Sequence, residues 1–186
     1  MKKHLFLLLL PAMALLLHGC KDKTEYCPAY PQEDTDYLPV DFVGQSLSYV
    51  FDDDTVVLKV EAPEFSEKHE RGEIFGEICE PEALMFLRAD NDFTVQYLKR
   101  YSAQNHNHFD IYTYFRLGQS FWSTHSKNYD KTTLLSNWTS PNGTTYADVW
   151  RSLEDRGVNG TDTSYFSRQK GLLYYRSTKH YCLLLP

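Results

Sequence analysis

Between Phe93 and Leu117 the sequence changes character at every second residue. Phe93, Val95, Tyr97 and Tyr101 alternate with Thr94, Gln96 and Arg100. After a turn over 104–108, Phe109, Ile111, Phe115 and Leu117 fall on one side, and Asp110, Tyr112, Tyr114 and Arg116 on the other. Only an extended strand puts every second side chain on one face; a helix would spread the same residues around its axis. The stretch therefore predicts two half-buried antiparallel strands, apolar within and polar without.

The same reading extends along the chain. Leu47 to Phe51 and Thr55 to Ala62 are strand-like runs joined by Asp52-Asp53-Asp54, a turn composition, and Pro63 ends the second. The polar segment Glu64 to Arg71 is expected to be a short helix or loop. Ile74-Phe75 suggests a brief strand, and Leu84 to Arg88 a longer one before a turn at 89–92. The residues from Gly118 to Thr133 suggest a long loop or bent strand around Phe121, Trp122 and Tyr129. Leu134 to Thr139 and Thr144 to Leu153 flank Ser140-Pro141-Asn142-Gly143, and Asn-Gly favours the tight turns of hairpins. Thr163 to Ser167, Leu172 to Arg176 and His180 to Leu184 close the chain as three strands. The fold expected is mainly β, an antiparallel meander sheet or open half-barrel of about ten short strands with little helix.

The N-terminal residues differ in kind. Lys2 and Lys3 precede an apolar core from Leu5 to Leu17, and Leu17-His18-Gly19-Cys20 follows. A charged start, a short apolar run and a small residue before the cut mark a secretory signal over residues 1–19. The run is too short for a spanning helix. Leu17, Gly19 and Cys20 resemble the lipobox of bacterial lipoproteins. That resemblance implies that Cys20 is lipidated and becomes the new N-terminus, with the membrane held through its acyl chains. Residues 20–43 contain Pro28, Pro31 and Pro39 with Glu33, Asp34 and Asp36 between them and no apolar period, and read as an extended tether. Residues 44–186 are expected to form one β-rich domain.

Removing residues 1–19 leaves 17 basic against 25 acidic side chains, a net charge of −8. Nucleic-acid binding is excluded as a working reading, because it needs concentrated positive charge. All 14 tyrosines and all three tryptophans lie in this part, as sheet packing or as a platform for sugar rings or a protein partner. With Cys20 lipidated, Cys27, Cys79 and Cys182 allow at most one disulfide, and Cys79–Cys182 is the expected pair because both fall in ordered segments.

Motifs for chemistry are weak. His106 and His108, with His125 or Asp110, could be offered as metal ligands, but they sit among turn residues and no metal site is expected. Asp52 to Asp54 lack the spacing of a calcium loop. The acids Glu64, Glu67, Glu70, Glu73, Glu77, Glu80 and Glu82 could hide a glycosidase pair, and read better as a solvated face. Nucleotide, hydrolase-elbow and dinucleotide motifs are missing, and no cofactor is expected.

Two C-terminal segments carry a second resemblance: Tyr146-Ala147-Asp148-Val149-Trp150, and Tyr165-Phe166-Ser167-Arg168-Gln169-Lys170-Gly171-Leu172-Leu173-Tyr174-Tyr175. Together with the lipobox they resemble envelope lipoproteins of Bacteroidota-type bacteria. The resemblance implies an outer-membrane, lipid-anchored location, with either periplasmic or surface orientation. Lys21-Asp22 resembles part of their surface-export signal, and Asp54-Thr55-Val56 their O-glycosylation motif, with Thr55 as acceptor. The expected role is a non-enzymatic binding or assembly module with a protein or glycan partner. The alternatives are a carrier of a lipid or other apolar ligand in a curved sheet and, behind it, a glycan hydrolase.

Overall fold

A computed structural model describes residues 29–72, 76–90, 93–102, 105–117, 119–127 and 132–186. They form one twelve-stranded antiparallel sheet. The strands are β1 (Ser46–Phe51), β2 (Asp54–Val60), β3 (Glu64–Gly72), β4 (Gly76–Arg88), β5 (Phe93–Ser102) and β6 (Asn105–Leu117), then β7 (Ser120–Lys127), β8 (Thr132–Thr139), β9 (Thr145–Asp155), β10 (Thr161–Ser167), β11 (Gly171–Arg176) and β12 (Tyr181–Leu184). Helical structure among the described residues is limited to single 3-10 turns at Val40–Phe42 and Gly157–Asn159. The mainly β, antiparallel half-barrel read from the alternation is thus the observed fold.

The order across the sheet is β7-β6-β5-β4-β2-β1-β12-β11-β10-β9-β8, with β3 beside β4. Pairing of β1 with β12, with Tyr49 opposite Leu184, joins the first and last strands in mid-sheet. β7 and β8 end this order, and the sheet curls until β7 lies against β9 and β10. Side chains close this seam: Thr124 Oγ1 and Ser164 Oγ are 2.6 Å apart, and an Arg156 guanidinium nitrogen donates to Ser123 O at 3.3 Å.

Inward residues fill the curl. Tyr49, Phe93, Tyr97, Phe115, Phe166, Leu58, Met85, Leu87, Leu172 and Leu173 are all fully buried. Phe51 and Phe93 have centroids 4.3 Å apart, and Phe115 stacks on Trp122 at 5.6 Å. The buried phenols find partners, as burial demands. Tyr49 Oη donates to Leu172 O (3.1 Å) and lies 3.3 Å from Tyr97 Oη, which accepts from Leu172 N (3.3 Å). The carbonyl can only accept, so the Tyr97 proton points to Tyr49. Burial pushes the pKa of both phenols well up.

Three segments differ from expectation. Glu64 to Arg71 is not a helix or loop but β3, laddered to β4 with Glu64 opposite Leu84. Its short-range composition is polar, yet β2 uses only the Arg88 and Leu87 rungs of β4, and the rest of that edge is left for the next segment. Pro63 sits at the handover, where no N–H is required of it. Between Gly118 and Thr133 a regular strand, β7, forms over Ser120–Lys127, because β6 offers it a complete edge. Ile74 and Phe75 lie outside the described residues.

The third difference concerns residues 29–43, which composition places in the tether. They pack onto the barrel. Leu38 has no exposure, Tyr30 stacks on Phe65 at 5.3 Å, and Tyr37 lies 5.2 Å from Trp150 and 5.8 Å from Phe109. Tyr37 N donates to Arg168 O (2.6 Å). Gly171, at φ +67°, lets this segment approach: a Cβ there would meet Pro39 Cδ at 3.1 Å and Tyr37 O at 3.2 Å. The body thus begins before Gly44. Residues 1–19, read above as a signal, Cys20, Cys27 and the expected tether up to Pro28 lie outside the described residues.

Cys182 is a buried free thiol on β12, between Phe51 on β1 and Tyr175 on β11. The side chain of Cys79, its expected partner, lies outside the described residues. Burial pushes the Cys182 thiol up from its ordinary pKa, and only the thiolate reacts readily. Iodoacetamide should therefore modify Cys182 only after urea unfolds the domain. Modification of the native protein at the unfolded rate would contradict the burial, and a requirement for reductant as well as urea would restore the expected disulfide.

Candidate functional site

The wet face of β4 to β7 is organised in cross-strand rows. In the first, register aligns Lys59 on β2, Arg88 on β4, Thr94 on β5, Arg116 on β6 and Phe121 on β7. The next holds Phe86, Gln96, Tyr114 and Ser123; a third holds Leu84, Leu98, Tyr112 and His125; a fourth holds Glu82, Arg100 and Asp110. Each row exists because these residues occupy the outward parity of strands whose inward residues are the core.

Arg88, Thr94, Arg116 and Phe121 of the first row, Phe86, Gln96 and Tyr114 of the second, and Gln119 line an open groove of about 810 Å³. Phe121 is 63% exposed at its rim and stacks on Tyr114 at 5.7 Å. The rings continue from Tyr114 to Tyr112 (6.0 Å, 4° between planes) and on to His125 (4.2 Å, 9°). The Arg88 guanidinium lies 4.5 Å over the Phe86 ring and meets Glu61 at 3.0 Å, with both charged groups substantially exposed. Beyond the ring row the face is charge-paired. Arg100 binds Glu80 and Glu82, each at 3.2 Å, and Asp110 faces His125 at 3.5 Å. Burial, then the neighbouring Asp110, push the Tyr112 phenol up to about 12, so it stays a neutral donor to Asp110 Oδ2 at 3.4 Å.

A smaller cleft of about 380 Å³ lies at the barrel seam. There Asp162 accepts from Arg156 Nε (3.2 Å) and Tyr175 Oη (3.1 Å), and burial raises the Tyr175 phenol to about 12. Asp52 Oδ2 meets His180 Nδ1 at 3.0 Å, its Oδ1 accepts from Tyr181 N at 2.9 Å, and the His180 ring stacks on Trp122 at 4.9 Å. These groups satisfy one another and tie the β1–β2 turn to the β11–β12 turn. A third aromatic set, Trp138 stacked on Tyr165 at 4.2 Å with Tyr174 beside it, covers the outer face of β8 to β11 as packing.

Sequence candidates distribute differently from their reading. Thr55 is exposed at the start of β2, beside the acidic turn. Asp52 serves the turn contacts just given. Glu80 and Glu82 share Arg100, while the side chains of Glu67, Glu70 and Glu77, Glu73 itself, and the side chain of His106 lie outside the described residues. Among the described residues no three His, Cys, Asp or Glu side chains group as metal ligands. The groove itself went unread, although its signal was present: the polar positions of the alternating strands carry Tyr114, Arg116 and Arg88 where Thr or Ser would be enough for solvation. Neither a family model, nor a curated protein, nor a solved structure matches this chain.

Proposed function

We propose that this chain is a lipid-anchored envelope protein working as a non-enzymatic binding module, with the outer groove on β4 to β7 as its recognition surface. The observation that carries the reading is Phe121, largely exposed beside Arg88 and Arg116 on the face away from the core. Aromatic and arginine side chains together on one concave face are the composition of an interface hot spot. The carrier alternative needs a cavity inside the curl, and Tyr49, Phe93, Tyr97 and Phe115 occupy that volume. The hydrolase alternative needs two carboxyls free for the reaction, and of its candidate acids Glu80 and Glu82 are held together on one guanidinium, while the side chains of Glu67, Glu70 and Glu77, and Glu73 itself, lie outside the described residues.

A benzophenone amino acid at Phe121 in the full chain tests this in cells. Irradiation should give envelope adducts several-fold above those from the same residue at Thr145, an exposed position on β9. Equal yields at the two positions would sink the reading.

A further inference from the structure

We infer that the barrel mouth is a peptide-recognition site, filled in this structure by the chain's own residues 29–38, and that copies of the chain exchange this segment. The inference goes beyond the binding-module reading and uses none of the outer groove's residues. The first observation is how the segment is held. From 29 to 39 its one backbone-to-backbone hydrogen bond to the barrel, among the described residues, is Tyr37 N to Arg168 O; Asp34 N to Pro31 O and Leu38 N to Thr35 O are turns within the segment. Side chains make the other contacts. Tyr30 lies between Phe65 (5.3 Å) and Tyr101 (5.4 Å), Tyr37 between Trp150 and Phe109, and the Asp34 and Asp36 carboxylates meet Lys99 (2.8 Å) and Arg168 (2.7 Å). Aromatic anchors in separate gaps, with charges between them, are how a bound peptide is read, whereas a strand of the fold is held by its ladder.

The second observation is that two features of the docked state work against permanence. Tyr37 sits at φ +68°, a left-handed conformation that is strained for a bulky residue and persists only while its surroundings enforce it. The Lys99 ammonium is wholly buried, where an apolar side chain would pack with no need of a counter-charge. Both costs are relieved when the segment leaves, because Tyr37 relaxes and Lys99 meets water. What the ion pair supplies is register: of the segments that could enter the mouth, it favours one that brings a carboxylate to Lys99.

The third observation fixes the occupant. The contacts require Tyr, Asp, Asp, Tyr and Leu at the spacing of Tyr30, Asp34, Asp36, Tyr37 and Leu38, and a second copy carries that pattern by identity. Every contact made within the chain is available between chains, so exchange adds little beyond the entropy of association. The connection suits it. The segment reaches β1 through one 3-10 turn, Val40–Phe42, and Gly44, where φ is +81° and a Cβ would meet nothing within 4 Å. Gly44 N donates to Val60 O, so the sheet is closed before the segment begins.

Disulfide trapping between two full-chain preparations tests the inference. One carries Asp36→Cys and the other Arg168→Cys, positions whose side chains meet at the surface of the mouth. Mixed under mild oxidation, they should form a disulfide dimer several-fold above either alone and above Asp36→Cys mixed with Thr145→Cys, an exposed control. A chain carrying both Asp36→Cys and Arg168→Cys should close within itself and then stop exchanging. A fluorescent peptide of residues 29–43 should bind the reduced form of that chain at least tenfold more tightly than the closed form, and Asp34→Asn in the peptide should weaken binding at least tenfold. A mixed dimer no more abundant than in the controls would overturn exchange between copies. Equal peptide binding to the reduced and closed chains would overturn the mouth as a recognition site, and failure of the double variant to close would overturn the docked segment itself. Each of these results leaves cross-linking from position 121 untouched.

Discussion

Asp34→Ala is expected to lower the unfolding free energy by about 3–5 kcal/mol, the cost of leaving a buried charge without its partner, read from the midpoint of urea unfolding. Lys99 has no exposure at all, and its ammonium meets Asp34 Oδ1 at 2.8 Å. Its other neighbours are the Asp34 carbonyl at 3.4 Å and the rings of Phe109 and Tyr101, whose centroids lie 4.5 and 5.6 Å away. Among the described residues Asp34 is the carboxylate bonded to it, with Asp36 acting from further off. The contrast is Asp36, which meets Arg168 at 2.7 Å from the same segment. There the arginine is largely exposed, and Asp36→Ala should cost about 0–1 kcal/mol. Two ion pairs of similar length thus differ several-fold in effect because the Lys99 ammonium is buried and the Arg168 guanidinium is not. The double variant Asp34→Ala with Lys99→Met should recover most of the loss, since an apolar side chain of similar length needs no counter-charge.

The pH dependence has a definite sign. Burial pushes the Lys99 pKa below its ordinary value, although Asp34 pulls the other way. Between the lowered folded pKa and the unfolded value the unfolded chain binds more protons, so this group makes stability rise with pH. Without Asp34 the folded pKa falls further and the window widens. The deficit of Asp34→Ala should therefore shrink as pH rises toward the alkaline limit. A deficit that grows with pH, or one below about 1 kcal/mol at neutral pH, would show that Lys99 is hydrated instead.

Cys20→Ser is expected to move nearly all of the protein from the membrane to the soluble fraction. Each buried methylene of an acyl chain holds with about 0.8 kcal/mol, and more than one chain makes the hold slow to release. A serine carries no thioether, so that whole contribution disappears while the β body is untouched. Fractionation reads the shift, and the mass of the N-terminal peptide reads the modification. Continued membrane retention of Cys20→Ser, or an unmodified Cys20 in the parent, would sink the proposal of a lipid anchor. The packing of residues 29–43 also shortens the reach. With Tyr30 seated on Phe65, about ten residues separate the proposed anchor at Cys20 from the body, which at full extension span about 35 Å.

Much of the sheet was legible because its signal is local. Phe93 to Tyr101 and Phe109 to Leu117 alternate, Lys99 and Thr113 apart, and the inward residues Phe93, Val95, Tyr97, Ile111 and Phe115 are buried. The Asn142-Gly143 turn was equally direct, with Gly143 at φ +86°. β3 was not legible. Its Glu, Lys and His residues carry no apolar period, and only the vacant edge of β4 makes it a strand. Residues 29–43 were hidden for a related reason. Tyr30, Tyr37 and Leu38 have no regular spacing, since each drops into a separate gap at the barrel mouth.

The candidate groove belongs to the same division. The outward parity of Tyr114, Arg116 and Arg88 follows from strand periodicity, which is a property of the chain alone. That Arg88, Arg116 and Phe121 stand in one row follows from register between four strands, and no single strand encodes its partner's register. Lys99 is the sharpest instance. Its place on the inward face could be counted from Phe93, and its charge argued against burial. Only the folded chain brings Asp34 across 65 residues to meet it, because a charge can be buried where its opposite arrives with it and not otherwise.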